Sequence, residues 1–132
     1  MSGENVKLYR QGIDAFNRRD LDAFLALAHP DVVGVSRVLA VEGGTYHGHE
    51  GTREWWNNLL GVFPDFTIEV VSVRDAGLLT VSELANRAHG EESPAPLEES
   101  VWQVSEWRDG QVVRWQIYET EQDALEAAGL SE

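Results

Sequence analysis

Glu119 is the residue best placed for proton transfer in this sequence. It follows Trp115 and Ile117 at the two-residue spacing of a strand face, so if those apolar side chains point inward, Glu119 points inward with them. A carboxylate held there is desolvated, which raises its pKa toward neutrality and suits it to general acid or base work. The competing reading is a strand-end glutamate at an open rim, solvated and inert. Tyr46, Trp55 and Trp56 would meet at the wall of a hollow, as an aromatic clamp for a flat ligand with the tyrosine hydroxyl as a handle. Ordinary packing accounts for at least one of the two tryptophans, and for Tyr9 on the first helix. Ser36, Ser82, Asn86 and Gln103 are polar residues in strand contexts. Asn86 and Gln103 are read as orienting a ligand carbonyl or hydroxyl, and Ser82 as satisfied within the core. The predicted cavity is bounded by Tyr46, Trp56, Asn86, Gln103, Trp115 and Glu119, with Glu119 its only carboxylate.

The four histidines do not make a metal site at this level. His47 and His49 are two apart, His29 and His89 fall in loop or strand-end contexts, and no HExxH spacing occurs. His49-Glu50 reads better as the entry to a helix, where negative charge favours the positive end of the dipole. Neither the possible Arg37–Glu42 ion pair nor the acidic run Glu91, Glu92, Glu98 and Glu99 is given a functional role. The run reads as a device for solubility.

The 132 residues carry ten Lys and Arg against twenty-three Asp and Glu, a net charge of −13. Such a field repels phosphate backbones and anionic lipid, so nucleic-acid and membrane partners are disfavoured. There is no cysteine for thiol chemistry. The longest apolar run, Ala23 to Ala28, is far too short to span a bilayer, and the N-terminus lacks a signal-peptide core. A cytoplasmic protein of one domain over 1–132 is expected.

These residues need elements to hold them. Val6, Tyr9, Ile13 and Phe16 recur at helical spacing and predict a helix near 4–17. Asp20 is placed as the N-cap of a second helix near 21–28, with His29-Pro30 as its stop. A strand from Val32 to Ala40, a turn at Gly43-Gly44 and a third helix near 50–61 follow. The second half alternates. Strands are expected from Phe66 to about Arg74, Leu78 to about His89, Glu98 to Arg108 and Gln111 to Thr120, the last two joined by the Asp109-Gly110 turn. A short helix closes the chain near Asp123–Ala128. This order is α+β, with three helices packed on a curved, mostly antiparallel sheet.

The passages Phe16-Asn17-Arg18-Arg19-Asp20-Leu21-Asp22 and Tyr46-His47-Gly48-His49-Glu50-Gly51, running on to Trp55-Trp56, resemble the SnoaL-like branch of the nuclear transport factor 2-like superfamily. Residues 108–113 and 121–130 fit the same branch. The resemblance implies a cone-shaped fold, commonly dimeric, with a deep apolar pocket and no intrinsic cofactor. It also implies a choice among polyketide cyclase, isomerase, epoxide hydrolase, dehydratase and non-catalytic members. The three polar positions of the ketosteroid isomerases fall on Gly12, Ser36 and Gln103, none of which can do that work. The acid/base aspartate of the cyclase branch falls on Thr120, or on Glu119 with a slip of one residue. The cyclase branch also often has a histidine where Gln103 stands.

Three readings stay open. One is cofactor-independent proton transfer on an apolar carbonyl compound. The others are non-catalytic binding of an apolar ligand, and a dimerisation scaffold whose hollow is filled by Trp55, Trp56 and Trp107. Trp102, Val104, Gln116 and Tyr118 fall out of step with the inward set. Large apolar groups on an outer sheet face predict a homodimer through Trp102 and Tyr118.

Overall fold

The computed structural model describes residues 3–36, 44–89 and 96–130. Its elements are α1 (Glu4–Asn17), α2 (Leu21–Ala26), β1 (Ala28–Val35), β2 (Thr45–His47), α3 (Gly48–Val62), β3 (Thr67–Ala76), β4 (Leu79–Ala88), β5 (Leu97–Arg108), β6 (Gln111–Tyr118) and α4 (Glu121–Ala127). The strands form one sheet in the order β2-β1-β6-β5-β4-β3. Every neighbouring pair is antiparallel except β1 with β6. The expected α+β fold forms, with α1, α2 and α3 on one face of a curved and mostly antiparallel sheet.

The apolar stripe of α1 buries Tyr9, Ile13 and Phe16 against β3, β4 and α3, with Phe16 wholly enclosed. At the end of α1 the Asn17 side chain imitates a neighbouring strand. Its Nδ2 donates to the Ile68 carbonyl at 2.8 Å, and its Oδ1 accepts from the Ile68 amide at 3.0 Å. Arg19, held at a positive φ of 63°, donates to the carbonyls of Phe16, Pro64 and Phe66. The Asn-Arg-Arg-Asp passage thus fastens the α1–α2 corner to the start of β3. Asp20 caps α2 by accepting from the Ala23 amide at 3.1 Å.

Several boundaries shift from expectation. The second helix ends at Ala26, and His29-Pro30 lies within β1. Pro30 is tolerated there because the β1–β6 ladder is irregular between Ala28 and Val33. Of the predicted Val32–Ala40 strand, residues 37–40 lie outside the described residues, as do Gly43 of the expected turn, the Arg37–Glu42 pair, and Glu91 and Glu92. Tyr46 sits on a short strand paired with Gly34. The last strand stops at Tyr118, because Thr120 becomes the N-cap of α4, its Oγ1 accepting from the Asp123 amide at 3.1 Å.

The outer face of the sheet carries a second, smaller apolar cluster. Ala124 and Leu125 of α4 bury against Val81 and Val104, with Trp102 and Tyr118 packed at the margin. The chain therefore covers part of the face that was expected to wait wholly for a partner. Trp102 and Tyr118 are left half-buried, directly opposite each other in the β5–β6 register.

Candidate functional site

Between the helices and the inner face of the sheet lies a cavity of about 470 Å³. Its back wall is laid down by alternation. Leu84 and Asn86 of β4, then Glu99, Val101, Gln103, Ser105 and Trp107 of β5, then Trp115 and Ile117 of β6 all face it. Tyr9 and Ile13 of α1, Phe24 of α2 and Trp55 and Leu59 of α3 close the other side. Asn58 is exposed and Val62 is 60 % exposed, and both also line the cavity, so its mouth lies along the second half of α3.

Trp115 and Ile117 face inward as their character predicted, and Tyr46, Asn86, Gln103 and Trp115 are brought together around one space. Two expectations are corrected. Trp56 is a core residue, 6 % exposed, wedged against Phe16 and Phe24 at ring-centroid distances of 5.1 and 5.2 Å. It is Trp55 that faces the cavity, stacked on Phe24 at 6.0 Å and set edge-on to Trp115 at 5.8 Å. The second correction concerns Glu119. The strand ends one residue before it, the chain bends toward the α4 cap, and the side chain is exposed and outside the cavity lining. Alternation extrapolated past the end of a strand fails because the backbone no longer holds the pleat.

A chain of polar groups runs from the buried sheet to the cavity wall. Ser82, fully buried, donates to the Tyr9 hydroxyl at 2.9 Å, and Tyr9 donates to Oε1 of Gln103. Burial pushes the Tyr9 hydroxyl well above the usual tyrosine range, and the bond from Ser82 offsets little of that. Tyr9 is thus a neutral donor at any ordinary pH. Besides accepting from Tyr9, the Gln103 amide carries N–H donors. This buried chain was missed because a tyrosine on the apolar stripe of a helix reads as packing. Trp107, also in the lining, donates from Nε1 to Thr80 at 2.9 Å.

Toward the far end of the same strands, Asn86 Nδ2 lies 3.4 Å from Glu99 Oε1. Glu99, expected to be part of a solvated acidic run, is the only charged residue lining the cavity among the described residues. Ser36 also lines it and is buried.

The histidines are engaged elsewhere. His49 Nε2 lies 2.7 Å from the Ala28 carbonyl, and His29 Nδ1 accepts from the Asp31 amide at 3.0 Å. Among the described residues no three His, Asp or Glu side chains gather as a metal site. No helix there is long and apolar enough to cross a membrane.

The sequence model of the SnoaL-like domain matches residues 9–115. No curated protein matches the sequence. Solved structures do. A nuclear transport factor 2-like protein of unknown function from Burkholderia pseudomallei superposes with a TM-score of 0.80 at 21 % identity, over 96 % of this chain and 97 % of its own. IdmH, a putative polyketide cyclase from Streptomyces antibioticus, gives 0.74 at 24 % identity, over 94 % and 96 %. TerC, co-crystallised with polyporic acid, gives 0.79 at 19 % identity, over 96 % and 99 %. These likenesses establish the fold.

Proposed function

Because the chain belongs to the SnoaL-like domain family, we propose that its cavity binds a flat, apolar small molecule, held between aromatic walls and oriented by the Gln103 amide. The observation that carries this is the cavity itself. Its volume of about 470 Å³ falls in the range of small-molecule sites, and its lining is mainly apolar and aromatic with polar side chains such as Tyr9, Asn86, Glu99 and Gln103 among them. A scaffold whose hollow is filled by its own tryptophans is disfavoured. Trp56 is packed in the core and Trp107 is tied to Thr80, yet the space remains.

Binding is favoured over proton transfer at Glu119, whose carboxylate is exposed outside the cavity. The second reading is proton transfer on an aromatic carbonyl compound, by an enzyme of the polyketide cyclase kind. It is favoured by one feature, the Glu99 carboxylate in the lining. Titrating the protein with polycyclic aromatic ketones, followed by tryptophan fluorescence, tests the first reading. Saturable quenching at one ligand per chain is expected, and no binding by any member of the set overturns it. Turnover of a bound ketone that disappears in Glu99→Gln would move the assignment to the second.

A homodimer over the part of the outer face that α4 leaves uncovered belongs to the same proposal, with Trp102 and Tyr118 at its centre. So does a cytoplasmic location.

A further inference from the structure

Asn86 is 8 % exposed, and its Oδ1 is fully buried and accepts no hydrogen bond from any described residue. Buried amide oxygens without a donor are rare, because leaving one unmade costs the desolvation of the group with nothing in return. The amide is also not free to turn over and hide the fault, since its Nδ2 is directed at Glu99 Oε1. Exchanging the two ends would set oxygen against a carboxylate. Asn86 and Glu99 sit opposite each other in the β4–β5 register, and both line the cavity. Glu99 brings a carboxylate, an acceptor, to this end of the cavity, and Asn86 Nδ2 donates to it from the neighbouring strand. No Lys, Arg or His belongs to the lining among the described residues.

We propose that Asn86 and Glu99 form a subsite for a hydrogen-bond donor on the ligand, a hydroxyl or an ammonium group. This rests on the reading of the cavity as a binding site and adds the polarity of its ligand. Gln103 lies four residues along the same inward row of β5 from Glu99, about 13 Å at strand spacing. Its Oε1 accepts from Tyr9, and its amide also carries N–H donors. One end of the cavity thus carries the Glu99 carboxylate, which only accepts, and the other an amide that can donate. A matching ligand is an elongated ring system with a hydroxyl or amine at one end and a carbonyl at the other. A carbonyl directed at the Glu99 carboxylate would face an acceptor and be disfavoured.

The experiment compares naphthalene, 2-naphthol and 2-naphthylmethylamine by fluorescence titration of the wild-type chain and of Asn86→Leu and Glu99→Gln. At least one donor-bearing probe is expected to bind tenfold or more tightly than naphthalene, and Asn86→Leu to abolish that advantage while naphthalene still binds. Because the variant removes an unsatisfied acceptor, its melting temperature should equal or exceed that of the wild type. Glu99→Gln separates the two donors. It keeps an acceptor for a hydroxyl but removes the charge that favours an ammonium group, so only the amine's advantage should fall. If all three probes bind alike, or if Asn86→Leu melts lower and retains the donor preference, the subsite proposal is overturned and the cavity reading stands. If none of the probes binds, both fall together.

Discussion

The indole of Trp115 lies directly over the backbone of Gly34, so close that a methyl group at Gly34 would stand 2.2 Å from the ring. The two residues are partners in the parallel β1–β6 pairing. The missing side chain is what lets this half-buried tryptophan lie back against β1 and form a wall with Trp55.

Gly34→Ala follows from that relationship. Its backbone carries no positive φ, so the effect is one of space alone. The methyl must push Trp115 toward the cavity or force the strands apart, an overpacking cost of about 1–3 kcal/mol. Chemical denaturation should show that loss, and an aromatic ligand should bind more weakly in proportion to the space removed. Unchanged stability would mean that Trp115 has another place to lie.

Trp55 and Trp56 are expected to separate cleanly. Trp56→Ala removes a core ring from between Phe16 and Phe24 and should cost about 3–5 kcal/mol, enough to unfold a marginal domain. Trp55→Ala removes a half-buried cavity wall. It should cost less stability and more ligand affinity. Thermal melts and a binding titration on the two variants give the contrast directly.

The adjacency of those two residues shows what the sequence could decide. Helical periodicity located α3 and its apolar side, but two consecutive tryptophans are 100° apart on a helix, and periodicity alone does not say which one looks into a hollow. Strand faces were easier. Trp115 and Ile117 fixed the inward set of β6, and Gln103 fixed that of β5. Counting back from Gln103 through Val101 reaches Glu99, so its place in the cavity was legible to a strict alternation argument. It was obscured by the acidic run around it. Glu119 failed for the opposite reason. Alternation was carried one residue past the end of the pleat, although Thr120 three residues before Asp123 already had the chemistry of a helix cap. Tyr9 shows the remaining limit, since nothing local announces that a helix tyrosine will meet a serine and a glutamine from strands more than seventy residues away.

Glu119→Gln should leave both stability and ligand binding unchanged. The side chain is exposed and lies beyond the cavity lining, and although it precedes the Thr120 cap it makes no part of it, so the change is worth less than about 1 kcal/mol. A binding titration together with a melt checks this. A large loss of affinity would return the carboxylate to the site.

The dimer proposal predicts a particle of twice the chain mass in light scattering at micromolar concentration. Trp102→Glu on the uncovered outer face should convert it to monomer while an aromatic probe still binds, since Trp102 is not part of the cavity lining. A wild-type monomer would indicate that the partial cover from α4 suffices for Trp102 and Tyr118.

The Tyr9 hydroxyl makes a prediction in pH. Its pKa is raised by burial above the ordinary value of 10.0. Above that pH the unfolded chain loses the proton while the folded chain keeps it, so the native state holds more protons and rising pH favours unfolding. The contribution from Tyr9 is therefore intact below pH 10 and is lost progressively above it, at about 1.4 kcal/mol per pH unit once the unfolded tyrosine is ionised. Tyr118 is shifted the same way by partial burial, so the wild-type slope is not due to Tyr9 alone. Tyr9→Phe isolates its share. At neutral pH the variant should lose about 1–3 kcal/mol, because Oε1 of Gln103 loses its donor and Ser82 loses an acceptor. Above pH 10 its stability should fall less steeply than that of the wild type. Urea titrations at pH 7, 10 and 11 measure both effects, and parallel slopes for the two proteins would show that the hydroxyl ionises in the folded state as readily as in water.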